Sequence, residues 1–353
     1  MQKVQEAGDV VTLIAVGIHT LQRLRVTLRL PPIQKSASGE ARRIGVELEM
    51  NGLTLDRLSA EVARHFGLTV STGGGRYERV LTGDPAGEWQ VEFDFDLLKK
   101  LGREQRDAGT LAGELGDSAE EALKWLAESL VPMELISPPL PMDRLGEVES
   151  LIKRLRDCGC KGTSDSLLNA FGMQFNPEVP DSDSTTITRY LKAFVCLYEW
   201  LYARADINLS RQVTNYIDPY PTDYCRRLVE VAYWPDQAAL IDDYLRDNPT
   251  RNRALDMLPL FAFLDEPRVR AVVGDALVKA RPTFHYRLPD CEIDRPEWNL
   301  STAWNDWVEV ERLAEDPDRL AGCCQAYSDF LDDPVDRWFG DWVKHLEAKW
   351  LHP

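Results

Sequence analysis

The sequence predicts an α+β fold, an antiparallel sheet with one polar face packed by helices, leading into a helix-rich C-terminal half. Three observations carry this reading. Three segments before about residue 185 alternate apolar and polar residues at a period of two, the pattern of a strand with one buried and one polar face, and a fourth is a short apolar strand. Helical spacing separates these segments and dominates the chain beyond them. Neither common glycine-rich phosphate loop is present, which disfavours a doubly wound parallel sheet.

Residues 1–40 read as an extension, helical or poorly ordered. Its apolar run, Val10 to Leu21, is interrupted by His19 and followed by Arg23 and Arg25. That is too short to cross a bilayer, which takes about 20 apolar residues, and it lacks the small-residue cleavage site of a signal peptide. Pro31, Pro32, Ser36, Ser38 and Gly39 mark a loop into the first strand, residues 43–50. A helix follows over 56–66, with Leu58, Val62 and Phe66 four apart.

Gly73, Gly74 and Gly75 mark a turn, after which residues 88–96 form the second strand. There Trp89, Val91, Phe93 and Phe95 share one face, and Glu88, Gln90, Glu92, Asp94 and Asp96 the other. Ser118 and Glu121 form a capping box for a helix over 119–130. Pro132 stops that helix before a third strand at 133–137, which Pro138 and Pro139 end. Residues 142–157 are an amphipathic helix. A fourth strand covers 170–176, with Gln174 and Asn176 on its polar side. Helices are predicted over 186–204, 234–246, 252–264, 266–280 and 302–313, with a short late strand at 283–288. The late tryptophans 298, 304, 307, 338, 342 and 350 read as packing residues. The catalytic unit is drawn at 41–320, with 321–353 a helical segment packed on it.

Among the 353 residues, Lys+Arg number 41 against 58 Asp+Glu, a formal charge of −17. Such a surface repels phosphate backbones and anionic lipid, so neither nucleic acid nor membrane is an expected partner. The seven cysteines are odd in number and match no paired metal motif, and they read as reduced thiols of a cytoplasmic protein.

Candidate chemistry begins with the acids. Glu47 and Glu49 lie two apart on one strand, as do Glu92, Asp94 and Asp96 on another, so each set projects from one side of the sheet. Like charges so placed repel, which a sequence tends to avoid unless a cation or an arginine sits among them. Oxygen ligands suit magnesium, with manganese as the alternative, and none of the five histidines is spaced from another as zinc ligands are. A solvated outer face reads the same way. Glu134 is a lone acid in an apolar strand, either a metal ligand or the partner of an arginine. Arg287 shares a strand face with His285 and suits a phosphate or carboxylate clamp, though it could equally pair with Glu47 or Glu92. Arg251, Asn252 and Arg253 sit where a helix is expected to open, a position that favours anions or reflects simple capping. Gln174 and Asn176 could contact substrate or bond each other.

These motifs together resemble the amidoligase family, a carboxylate-amine ligase branch of the glutamine synthetase and glutamate-cysteine ligase superfamily. They are Arg43-Ile-Gly-Val-Glu-Leu-Glu, Gly87-Glu-Trp-Gln-Val-Glu-Phe-Asp, Met133-Glu-Leu-Ile-Ser-Pro-Pro-Leu, Phe171-Gly-Met-Gln-Phe-Asn-Pro-Glu, Asn248-Pro-Thr-Arg-Asn-Arg-Ala-Leu-Asp and Arg281-Pro-Thr-Phe-His-Tyr-Arg-Leu-Pro. Each is weak alone, but the six stand in family order from about residue 40 to 315. The resemblance implies a glutamine synthetase-like catalytic sheet and an ATP- and magnesium-dependent ligase that joins a small-molecule or peptide carboxylate to an amine through an acyl phosphate.

It further implies metal roles for Glu47, Glu49, Glu92 and Glu134, with Asp94 an alternative, and a phosphate contact for Arg287. Asp94 or Asp290 would take the proton of the amine. Gln174, Asn176 and His285 are the expected substrate contacts. Many superfamily members carry a histidine pair where this chain has Gln174 and Asn176. The competing readings are a metal-dependent phosphohydrolase on the same carboxylates and a non-catalytic nucleotide-binding relative. Superfamily members often assemble, so a homo-oligomer is among the states expected.

Overall fold

A computed structural model of the chain describes residues 27–71, 77–93, 132–163, 171–205, 207, 217–333 and 341–351. Most of the N-terminal extension, the triple-glycine turn, Asp94, Asp96, Trp338 and the capped helix expected at 119–130 lie outside the described residues.

The four segments read as strands form strands as expected: β1 (Arg43–Met50), β4 (Gly87–Phe93), β5 (Met133–Ile136) and β7 (Met173–Pro177). The sheet also contains β2 (Thr69–Ser71), β3 (Glu78–Asp84), β6 (Leu140–Pro141), β8 (Leu255–Asp256) and β9 (His285–Tyr286). All its strand pairs are antiparallel, in the order β2-β3-β4-β5-β1-β7-β9-β8, with β6 beside the start of β1. Sequence patterning does not anticipate β2 or β3. The turn Asp84-Pro85-Ala86-Gly87 that joins β3 to β4 is their available signal. Asp84 ties this hairpin down by accepting from the Ala86 amide at 2.8 Å, from the Trp89 indole at 3.0 Å and from Arg144 at 2.8 and 3.0 Å. The hydrogen bonds from Arg144 hold its carboxyl down at about 2.

The helices are α1 (Leu55–Phe66), α2 (Leu145–Asp157), α3 (Ser184–Ala205), α4 (Thr222–Val229), α5 (Gln237–Asp247), α6 (Leu258–Leu264), α7 (Glu266–Val272), α8 (Leu300–Ala314), α9 (Pro317–Asp332) and α10 (Trp342–Lys349). Thr54 caps the start of α1 through the Arg57 amide, and Gly67, at φ 71°, ends it in a left-handed turn that a side chain would strain.

Two helical expectations are corrected. Residues 252–257 are not helical: Leu255 and Asp256 join the sheet edge beside β9, and the helix opens only at Leu258. The segment predicted as helix over 266–280 ends at Val272. In both, local apolar spacing mimics a helix where pairing to a distant strand or a turn decides the backbone.

One sheet face carries the core. Ile44, Val46, Leu48 and Met50 of β1 are at most 2 % exposed, and α1, α2, α3 and α8 lie on that side. Phe66 of α1 stacks on Trp89 of β4 at 4.5 Å, while Phe175 of β7 meets Trp304 of α8 edge-on at 5.6 Å. Trp304, Trp307, Trp342 and Trp350 are buried packing residues, as expected. The strand carrying Glu47 and Glu49 is anchored at its start by Arg42. This arginine donates to Glu311 of α8 through Nη1 (2.7 Å) and Nη2 (2.9 Å), and both side chains are fully buried. The seven cysteines are free thiols, and no helix among the described residues is long and apolar enough to cross a membrane.

Candidate active site

Strand pairing sets the geometry of the opposite face. Glu78 of β3 lies directly across from Glu92 of β4, Glu92 from Glu134 of β5, and Glu134 from Glu49 of β1. Four carboxylates therefore form one row across four adjacent strands, each beside the next at the roughly 5 Å Cβ separation of facing strand residues. Glu47 stands two residues along β1, opposite Gln174 of β7. Glu78 is the member that sequence reading misses, because nothing local reveals that its strand exists or where it pairs.

A cavity of about 500 Å³ opens over this face. Its lining brings Glu47, Glu78, Glu92, Glu134 and Gln174 together with Arg251, Lys279, Arg281 and Arg287. Acids and cations thus share one cavity. Asp256 and His285, neighbours across β8 and β9, also line it. Nothing in the sequence singles out Lys279, Arg281 and Asp256 as members of a site.

The polar chain along the floor is continuous. Asn176 Nδ2 donates to Glu47 Oε1 at 2.6 Å, and Gln174 Nε2 donates to Asn176 Oδ1 at 2.7 Å. The same Gln174 nitrogen reaches His285 Nδ1 at 3.1 Å, so that Nδ1 is the acceptor and the ring proton sits on Nε2. Burial and the neighbouring Arg287, Arg281 and Arg251 push the imidazolium pKa well below its usual value, which keeps His285 neutral. Its Nε2 has no hydrogen-bond partner among the described residues. Asp256, 1 % exposed, accepts from the Leu258 amide through Oδ1 at 2.9 Å, and Oδ2 has no such partner. Burial pushes this carboxyl up to about 6 despite Arg287. A donor and an acceptor that line a cavity yet lack partners mark a place where a ligand or water completes the bonding.

The expected residues divide. Glu47, Glu92, Glu134, Gln174, Arg251, His285 and Arg287 all line this cavity. Glu49 closes the acidic row and accepts the Gly172 amide at 2.7 Å, but it is not part of the lining. Asn176 sits one bond behind Glu47. Asn252 and Arg253, read with Arg251 as a candidate anion site for the nucleotide cofactor, do not line this cavity. The Arg253 guanidinium donates to the carbonyls of Pro219 (2.6 Å) and Asp247 (3.2 Å), while the Asn252 carbonyl accepts the Asp218 amide. With no helix opening here, the anion site expected of its terminus is absent from this segment. Asp290, 3 % exposed, forms an isolated antiparallel bridge with Gly172 just before β7 and does not line the cavity. Asp94 lies outside the described residues.

The donor set fits a hard divalent cation, with one qualification of geometry. Among the described residues no three carboxylate or imidazole groups converge as they stand on a single point. Magnesium does not require such a cage, since it commonly takes one or two carboxylates and fills its octahedron with water and phosphate oxygens. A row of adjacent carboxylates is the kind of oxygen donor set that such an ion takes.

A family model described as "Putative amidoligase enzyme" matches residues 40–309, a span that contains every strand of the sheet and every lining residue named above. No curated protein and no solved structure matches the chain.

Proposed function

Because the chain belongs to the amidoligase family, we propose that it is an ATP- and magnesium-dependent ligase, one that joins a carboxylate to an amine through an acyl phosphate on a glutamine synthetase-like sheet. The observation that carries this reading is the cavity inside the matched span, lined by a row of acids and a group of cations together. A metal–triphosphate complex presents the complementary pair of charges.

In this reading Glu92 and Glu134, with Glu47 beside them, hold magnesium. Bound there, the ion would neutralise triphosphate oxygens and align an in-line displacement. Arg287 and Arg251 hold the phosphates, Arg287 by a planar fork that a lysine lacks. A donor carboxylate oxygen attacks the γ-phosphorus, and the bond to the β,γ-bridging oxygen breaks with its electron pair leaving on ADP. The neutral amine nitrogen then attacks the acyl carbon, the carbon–oxygen bond to phosphate breaks, and the nitrogen gives up a proton. Asp256 suits that proton, being in the cavity with a free acceptor oxygen and a pKa raised to about 6. The buried Gln174–His285 pair fixes the floor that positions these groups. The seven free thiols support placing the enzyme in the cytoplasm.

The test is ATP turnover by the purified chain with magnesium and pooled carboxylates, with and without added amine, followed by mass spectrometry for products that have lost one water. Turnover stimulated by amine is the expected result. Phosphate release independent of amine would replace the ligase with a phosphohydrolase, and failure to bind Mg-ATP would leave a non-catalytic relative.

A further inference from the structure

Away from the acidic face of the sheet, α3 and α9 bring a pair of thiols into contact. Cys196 of α3 and Cys324 of α9 hold their sulfurs 3.8 Å apart, with Cys196 donating, although 128 positions separate them in the chain. Cys323, the neighbour of Cys324, is fully buried and also acts on the Cys196 thiol. The Trp342 indole of α10 donates to the Cys196 carbonyl at 2.9 Å. A disulfide is roughly 2 Å long, so closing this contact asks each sulfur to move about 0.9 Å, the reach of a small side-chain rotation.

A cation completes the group. Lys192 lies one turn before Cys196 on α3 and is 2 % exposed, and its ammonium has two neutral partners, the Glu230 carbonyl at 2.9 Å and the Trp234 ring at 4.3 Å. A buried ammonium held by neutral groups favours an anion beside it. The ionisable groups that act on it most strongly in that sense are Cys324 and then Cys196. In return, the hydrogen bond from Cys196 and the Lys192 ammonium hold the Cys324 thiol below its usual value against the effect of burial. Burial pushes the Cys196 thiol well up. One sulfur is thus disposed to ionise and its neighbour to stay protonated.

From this arrangement we propose that Cys324 and Cys196 are a reversible redox couple: a hydroperoxide oxidises Cys324, and Cys196 resolves the product into a disulfide between α3 and α9. The Cys324 thiolate attacks one oxygen of hydrogen peroxide, the O–O bond breaks, and the leaving hydroxide takes up the proton that Cys324 shed. Water and a sulfenic acid result. The Cys196 sulfur then attacks the sulfenic sulfur, the S–O bond breaks, and hydroxide departs with the Cys196 proton as a second water. Two thiols and one peroxide become one disulfide and two waters. The loop so closed contains the cavity-lining residues from Arg251 to Arg287, so oxidation fastens the part of the chain that carries the cations of the site. In a reducing compartment the bond is transient, as a reversible switch requires.

The test treats the full chain with hydrogen peroxide, blocks remaining thiols with N-ethylmaleimide, and maps peptides by mass spectrometry before and after dithiothreitol. We expect a Cys196–Cys324 disulfide that dithiothreitol removes, with the thermal midpoint about 5 °C or more higher in the oxidised chain because a long loop is closed. In Cys196→Ala, which lacks the resolving thiol, dimedone should label Cys324; in Cys324→Ala it should label neither Cys196 nor Cys323. Lys192→Met should slow disulfide formation about tenfold, the effect of one pKa unit on the thiolate fraction. Mapping of the wild-type chain decides the matter even where a variant fails to fold. A disulfide between other cysteines, or thiols still reduced after peroxide has oxidised a free-cysteine peptide in the same tube, would overturn the couple. Dimedone on Cys196 in Cys324→Ala would overturn the assignment of attacking sulfur, and undiminished oxidation in Lys192→Met the part given to its ammonium. An unchanged thermal midpoint in the cross-linked chain would overturn the fastening.

Discussion

Replacing Glu311 by Gln tests whether strand β1, which carries Glu47 and Glu49, is held in place by a buried ion pair. Glu311, fully buried in α8, accepts from Arg42 Nη1 at 2.7 Å and Nη2 at 2.9 Å, from the Trp307 indole at 2.9 Å and from the Tyr190 hydroxyl at 3.2 Å. Arg42 also donates to the carbonyls of Ile33 and Glu178, so its guanidinium cannot swing out to water without breaking several bonds. A glutamine amide placed on the Oε2 side loses the bond from Nη1, although the Tyr190 hydroxyl can reverse and accept. The reverse placement confronts both Nη2 and the Trp307 N–H. In either case one charge-assisted bond goes, about 1.5–3 kcal/mol, and a buried guanidinium is left uncompensated. The sum should reach about 3–5 kcal/mol, read as a fall in urea midpoint at unchanged m-value. Pairing the change with Arg42→Met should show a coupling of about 2 kcal/mol. A loss under about 1 kcal/mol, with the two changes simply additive, would refute the claim that this pair fixes β1.

Three further outcomes are expected. Glu134→Ala, which removes the acid between Glu92 and Glu49 in the row, should cost about a hundredfold or more in metal-dependent turnover with an unaltered circular dichroism spectrum. Unchanged turnover in the folded variant would remove Glu134 from the site. Arg287→Lys keeps the charge but not the fork, and should cost about ten- to a hundredfold in kcat/KM for ATP; wild-type kinetics would contradict the clamp. For Asp256, a folded pKa of about 6 lies above the unfolded value near 4. Its contribution to stability is therefore full at low pH and is lost as pH rises through 6. Between pH 5 and 8 that amounts to about 1.4 kcal/mol, which should be absent from Asp256→Asn in paired urea titrations. A parallel decline in both proteins would place the titration elsewhere.

Much of the sheet was legible because alternation is local. Segments bearing Glu47, Glu92 and Gln174 announce both their extended form and their two faces without reference to anything distant. The site was legible only as far as those strands. Lys279 and Arg281 sit in a stretch without regular structure, and only the fold brings them over the acids. Asp256 was hidden by apolar spacing that imitates a helix, while its real state is set by two residues pairing with β9. Arg253 illustrates the converse, a cation in a polar cluster that looks like a binding site yet satisfies backbone carbonyls. Register is also non-local, and it alone turns Glu78, Glu92, Glu134 and Glu49 into neighbours.

The strand that runs from Arg43 to Met50 serves two purposes with alternate residues, and this governs how the site withstands change. Sliding it by one position would drive Glu47 and Glu49 into the hydrocarbon interior and push Val46 and Leu48 out, a penalty far larger than any difference among metal geometries. The placement of the acids is thus enforced by oil rather than by their own interactions. Insertions or deletions within this strand should be lethal to folding, whereas exchanging one acid for another leaves the scaffold indifferent.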